Sequence, residues 1–221
     1  MTGKPRCVAV LGGSFDPPHN GHLALAAHFA GLLQADELRI VPAGNPWQKQ
    51  EMQTPAHDRL AMVRLAFSDA EMPIVIDEQE IRRNGPTYTV DTLRALREEL
   101  GAETSIAFLM GADQLQRLHT WHAWRELFDY AHLCIAARPG FALHAFSDDA
   151  ARECARRIAT PEQIRTAPGG LSLFSADLAV DVAATDLRAA LQRSERRDSR
   201  LHSQLPAAVL DYIEQHHLYR N

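Results

Sequence analysis

The residues best suited to chemistry are gathered in one stretch, VAVLGGSFDPPHNGHLALAAHF, from Val8 to Phe29. An apolar run meets Gly12 and Gly13, passes Pro17 and Pro18, and enters a helix-like stripe with His19 and His22 at the bend. Paired glycines adopt backbone dihedrals closed to other residues and let a ligand come close to the main chain. A helix that starts here presents unpaired N–H groups and the positive end of its dipole, which together favour an anion. Imidazoles at i and i+3 around a helix start face the same side, so both rings can reach one polyphosphate. Asn20-Gly21 between them reads as a turn pair. The same residues have three other readings: a zinc pair, a dinucleotide fingerprint, or ordinary surface histidines. The zinc reading lacks further Cys, His or Asp at matching spacing. GGSFDP lacks the G-x-G-x-x-G pattern, and no P-loop lysine follows. Strand, glycines, prolines, two histidines and helix in this order favour the anion site over chance.

Short apolar runs and helix-period segments must position that turn. Cys7–Leu11, Leu38–Ala43, Ile74–Asp77, Ser105–Met110 and His132–Ala137 read as strands, followed by weaker ones at Leu171–Phe174 and Leu178–Val182. Between them, Leu25, Phe29, Leu32 and Leu33 make one helical face. Thr54 and Pro55 mark the start of a second helix, and Val90, Leu93, Leu96 and Leu100 stripe a third that Gly101 stops. Helical material is predicted near Trp121–Phe128, Asp186–Arg193 and Pro206–His217, and the Arg-rich stretch 141–170 reads as an irregular surface segment with an inserted helix. Strands separated by helices imply right-handed crossovers. The expected fold is therefore α/β: a Rossmann-like, doubly wound, mostly parallel sheet with helices on both faces and a small C-terminal helical part, in one domain over residues 1–221. Ligands of such sheets sit beyond the carboxyl ends of the strands, at a switch in strand order.

Composition narrows the class. The 221 residues are 46% apolar and 23% charged, with a net charge of −5, which argues against a surface built to hold nucleic acid. Cys7, Cys134 and Cys154 match no metal or redox spacing. Cys7 and Cys134 sit in apolar runs, as reduced buried thiols of a cytoplasmic protein would. No apolar run approaches the ~20 residues that span a membrane, and no leader is expected.

GGSFDPPHNGH (Gly12–His22) resembles the G-[ST]-F-D-P-x-H-x-G-H signature of the nucleotidyltransferases named for their H-x-G-H element, which transfer a nucleotidyl group and release pyrophosphate. VAATDLR (Val182–Arg188) resembles their second element, I-S-S-T-x-x-R. RRNGPTYTVDTL, FLMGADQL, TWHAWREL, AHLCIAARPG and the ending LPAAVLDYIEQHHLYR extend the likeness to bacterial nicotinate mononucleotide adenylyltransferases over nearly the whole chain. The resemblance implies that His19, His22 and Arg188 act on the ATP phosphates, with Gly13, Ser14, Phe15 and Thr185 at the same site. It implies adenosine contacts for Gly111 and Asp113, a nucleotide-facing loop for Arg138, and acceptor contacts for Lys49, Tyr88, Thr89 and Trp121. It implies Mg²⁺ carried mainly by the ATP phosphates, no dedicated protein metal site, and ATP and nicotinate mononucleotide as partners, with no nucleic acid and no membrane. The chain departs from the family at Gln48, where a histidine is common, and at Ala183 and Ala184, where two serine hydroxyls are lost. Without the resemblance, Trp121 and Trp124 fit a helix's core face, Thr89 fits an N-cap, and Asp113 fits a cap after Gly111. Another acceptor, the amidated mononucleotide or phosphopantetheine, and a nucleotide-binding module without catalysis are the rival functions.

Overall fold

The computed structural model describes residues 5–45, 52, 54–136, 149–176, 178, 184–193 and 199–220. Six strands, β1 (Cys7–Gly13), β2 (Glu37–Pro42), β3 (Ile74–Ile76), β4 (Ser105–Gly111), β5 (His132–Ala136) and β6 (Ser172–Ser175), form one parallel sheet in the order β3-β2-β1-β4-β5-β6. The chain therefore winds outward from β1 in one direction and from β4 in the other, and the switch point lies between these two central strands. Cys7 pairs with Ser105 and Leu11 with Leu109 along that seam.

Side chains alternate between two buried faces, as they must in a sheet covered on both sides. Cys7, Ala9, Leu11, Ala107, Leu109 and Cys134 join one core, whereas Val8, Val10, Ile106, Phe108, Met110, Leu133 and Ile135 join the other. On the first face lie α1 (Asn20–Leu33) and α2 (Ala56–Ala66); the short α3 (Gln79–Arg82) follows β3. On the second lie α4 (Thr89–Leu100), α5 (Ala112–Leu115) and α6 (Leu127–Tyr130), with 3-10 turns at Leu118–Thr120 and Trp124–Glu126. Helices α7 (Asp149–Arg156) and α8 (Pro161–Thr166) lead into β6, and α9 (Ala184–Gln192), α10 (Ser199–Gln204) and α11 (Ala207–Gln215) complete the first face. No helix among the described residues is long and apolar enough to cross a membrane.

The predicted architecture holds, and several local expectations do not. Where one inserted helix on an irregular surface was expected, residues 149–170 hold two helices, and Ala150, Ala151, Cys154 and Ile164 are buried. Arg165 explains part of that anchoring: it donates to the Leu33 and Gln34 carbonyls at the end of α1 and pairs with Asp36 at 3.0 Å. Thr54 does not cap α2. The helix starts at Ala56 with Pro55 in the cap position, and the Thr54 side chain hydrogen-bonds Tyr219 instead. Asn20 and Gly21 are the first residues of α1, not a turn. The expected helix near Trp121–Phe128 breaks into a 3-10 turn and α6, because Ala123 turns left-handed at φ 47°. Most of the expected strand at Leu178–Val182, and residues 141–148, lie outside the described residues.

Candidate active site

The carboxyl ends of β1 and β4 open on a cavity of about 590 Å³. Its walls come from four directions: the turn from β1 into α1, the turn from β4 into α5, the segment from α3 to α4 together with Trp121 and His122, and the start of α9.

At the first of these, Gly12 and Gly13 end β1, and a side chain on Gly13 would press within 3.2 Å of the Phe15 ring. Phe15 is fully buried at φ 48° and does not line the cavity; its ring lies 4.8 Å from that of His22 and supports it from below. His19 is the N-cap residue of α1, in extended conformation, and His22 is three residues on. The His22 Nδ1 accepts the His19 backbone N–H at 3.2 Å, which satisfies an amide that the helix leaves over. The two rings stack with centroids 3.7 Å apart, and both line the cavity. Burial lowers the His19 pKa to about 4, so its ring is neutral at pH 7 in the unliganded protein. Its Nδ1 is buried with no hydrogen-bond partner among the described residues. Such a group wants a ligand.

Thr185 lines the cavity from the start of α9, while Arg188 stands one layer behind, donating to the Asp16 carbonyl at 2.8 Å and the Thr185 hydroxyl at 3.2 Å. A second cation, the buried Arg59 on α2, donates to the Ser14 carbonyl at 2.8 Å. Both guanidiniums thus grip the back of the loop whose front faces the cavity.

At the second wall, Gly111 caps α5 and the exposed carboxylate of Asp113 folds back toward it: a side chain on Gly111 would meet Asp113 Oδ1 at 2.6 Å. At the third, Thr89 and Trp121 line the cavity, and Tyr88 does not; its ring packs 4.5 Å from that of His122. The backbone explains the difference. Tyr88 is extended (φ −122°, ψ 136°), and in extended chain alternate residues face opposite sides, so Thr87 and Thr89 point inward. Trp121 meets Phe108 edge-on at 6.3 Å, while Trp124 is buried in the core.

Sequence reasoning missed Glu80, Thr87, Thr92 and His122 on this wall. Glu80 accepts the Thr92 hydroxyl at 2.7 Å, and its backbone sits so close to Gly44 that a Cβ there would lie 1.9 Å from the Glu80 carbonyl. The Thr87 hydroxyl and the Trp121 indole N–H are buried without partners among the described residues, two polar atoms set in the wall. The inward alternation around Tyr88 was the available signal for Thr87; Glu80 and His122 had none in local pattern. Lys49, Gln48, Arg138 and Ala183 lie outside the described residues, and Ala184 lines the cavity. Among the described residues no group of three or more His, Cys, Asp or Glu is placed to hold a metal ion.

The profile of the cytidylyltransferase-like family matches residues 10–189. A protein of Herminiimonas arsenicoxydans described as a probable nicotinate-nucleotide adenylyltransferase is 59% identical over 223 aligned residues, covering all of both chains. One from Laribacter hongkongensis with the same description is 42% identical, covering 100% of this chain and 98% of the relative. Among solved structures, the nicotinic acid mononucleotide adenylyltransferase of Plasmodium falciparum complexed with NaAD superposes with a TM-score of 0.74 at 18% identity over 97% of both chains, which is a likeness of fold.

Proposed function

The chain belongs to the cytidylyltransferase-like family and, within it, to the nicotinate-nucleotide adenylyltransferases, and from that premise we propose how its cavity transfers AMP from ATP to nicotinate mononucleotide, giving nicotinate adenine dinucleotide and pyrophosphate. The observation that carries the reading is that one cavity joins the stacked His19–His22 pair to Asp113 and to the wall bearing Thr87 and Trp121.

In this reading the triphosphate lies along the start of α1. The His19 and His22 rings, the Gly13 and Ser14 backbone and the first amides of the helix face its oxygens, and Thr185 and Arg188 close from the α9 side. Asp113 accepts the ribose hydroxyls, since a carboxylate can take two hydrogen bonds. The acceptor's pyridine ring lies by Trp121, with Thr87, Thr89 and Tyr88 at the segment that meets its carboxylate. Lys49 is assigned to the acceptor and Arg138 to the nucleotide in the same reading. A divalent cation, Mg²⁺ in this reading, enters as part of the ATP substrate.

An oxygen of the mononucleotide phosphate attacks the α-phosphorus in line. One P–O bond forms as the bond to the bridging β-phosphate oxygen breaks, and the electron pair leaves on pyrophosphate. The attacking oxygen is already anionic, so no general base is needed. Catalysis is positioning plus stabilisation of charge on the α-phosphoryl oxygens and the leaving group. A phosphate beside His19 favours the imidazolium that burial otherwise disfavours, so binding can itself turn this ring into a cation.

The test is a paired assay of pyrophosphate release from ATP with nicotinate and with nicotinamide mononucleotide. Release with the nicotinate form, at the higher kcat/KM, is expected. Absence of release with either acceptor, in a protein that still binds ATP, would overturn the reading.

A further inference from the structure

Behind the phosphate loop, Asp16, Tyr219 and Arg59 have no place in the reaction as described so far. Asp16 is 3% exposed, and its Oδ1 accepts the hydroxyl of Tyr219 at 2.6 Å. The same phenol hydrogen-bonds Thr54, at the entry to α2. Arg59 holds the Ser14 carbonyl from α2, and Arg188 holds the Asp16 carbonyl from α9. The loop from Ser14 to Asp16 is therefore gripped from outside the cavity, and Tyr219 is the point where the segment after α11 joins that grip.

The backbone on both sides of the bond is unusual. Phe15 stands at φ 48°, His217 at φ 54° and Tyr219 at φ 60°, and none is glycine. A non-glycine residue in such a conformation is strained and persists where its surroundings over-determine it. His217 has a local reason: the Leu218 N–H closes the end of α11 on the Ile213 carbonyl at 3.0 Å. The second reversal, at Tyr219, brings a ring only 9% exposed to Asp16.

Resting on the adenylyl-transfer reading, we infer that Tyr219 is a positioning residue for ATP: its hydroxyl, through the Asp16 carboxylate, holds the Ser14–Asp16 loop and the start of α1 where His19 and His22 meet the triphosphate. The effect is specific to ATP. The bond ends on the phosphate loop, whereas the acceptor wall is built on α3, α4 and Trp121.

Tyr219→Phe keeps the ring and removes the hydroxyl. Tyr212→Phe is the matched control, because Tyr212 on α11 makes a similar bond to Asp58 of α2 at 2.9 Å that ends on the helix instead of the loop. In Tyr219→Phe the KM for ATP and the Kd of a non-hydrolysable ATP analogue rise about tenfold, the order of one lost hydrogen bond to a carboxylate, while the acceptor's KM stays within about twofold. Tyr212→Phe leaves both near wild type. An unchanged ATP term in Tyr219→Phe, an equal change in Tyr212→Phe, or a joint rise in both substrates' KM overturns the inference. If the wild-type protein makes no dinucleotide, the functional reading fails instead, and the analogue's Kd still decides the role of Tyr219.

Discussion

His19 and His22 are neighbours with different settings. His19 is buried and uncharged in the unliganded protein, whereas His22 is half-buried and uses Nδ1 to accept the backbone N–H of His19. That bond selects the tautomer: a neutral His22 ring carries its proton on Nε2, the nitrogen left to donate. His22→Ala removes both this donor and the capping acceptor. We expect kcat to fall by about 10²–10³, the scale of one oriented donor to a developing oxyanion, with the protein still folded by its thermal transition. Turnover near wild type would exclude the role. The histidine pair was legible because both the spacing and the neighbouring glycines pointed to an anion. Tyr88 lies off the cavity lining and Thr87 was missed because the motif names a stretch of chain, while the extended backbone decides which of its residues face the cavity.

At the scale of elements, the packing of β2 against α3 sets the acceptor wall. Gly44 follows β2 where the Glu80 carbonyl leaves no room for a Cβ, and the neighbouring Asn45 carbonyl accepts the Thr87 N–H at 2.9 Å. Gly44→Ala must push α3 away, at about 1–3 kcal/mol. The expected readout is a lower Tm together with a raised KM for the mononucleotide and little change for ATP; an unchanged acceptor KM would show that the wall does not move with α3. Strands and long helices were legible in runs and stripes of apolar residues, β4 and α4 most plainly. In the 141–170 stretch only one inserted helix was legible and neither its bounds nor its burial, because the buried sides of α7 and α8 are small or few, Ala150, Ala151, Cys154 and Ile164, among many arginines and acids. Thr54 was misplaced because a tertiary partner, Tyr219, competes for the hydroxyl that local pattern gives to the helix.

For the whole molecule, buried neutral histidines make acid the vulnerable direction. The folded-state pKa of His19 is about 4, below the 6.5 of an exposed ring, so between these values the unfolded chain binds the proton more readily. Its contribution is complete above pH 6.5 and is lost as pH falls toward 4, a difference of about 2 kcal/mol between pH 7 and pH 5. His132, buried against the Ala167 carbonyl, is shifted in the same direction by desolvation. Thermal melts should show Tm dropping from pH 7 to pH 5, with a shallower drop in His19→Asn; parallel profiles would count against the burial of His19 as a cause.

The seam between β1 and β4 has one more consequence, in the order of events by which the protein forms. Cys7 pairs with Ser105, so the two central walls of the cavity are brought together only when β4 returns to β1 after the whole of β2, β3 and their helices. Closure over so long a loop is entropically costly and is rewarded late. Nucleotide affinity should then arrive with the last cooperative step of folding, and ATP would act as a ligand of the finished sheet alone, unable to shelter a half-formed one.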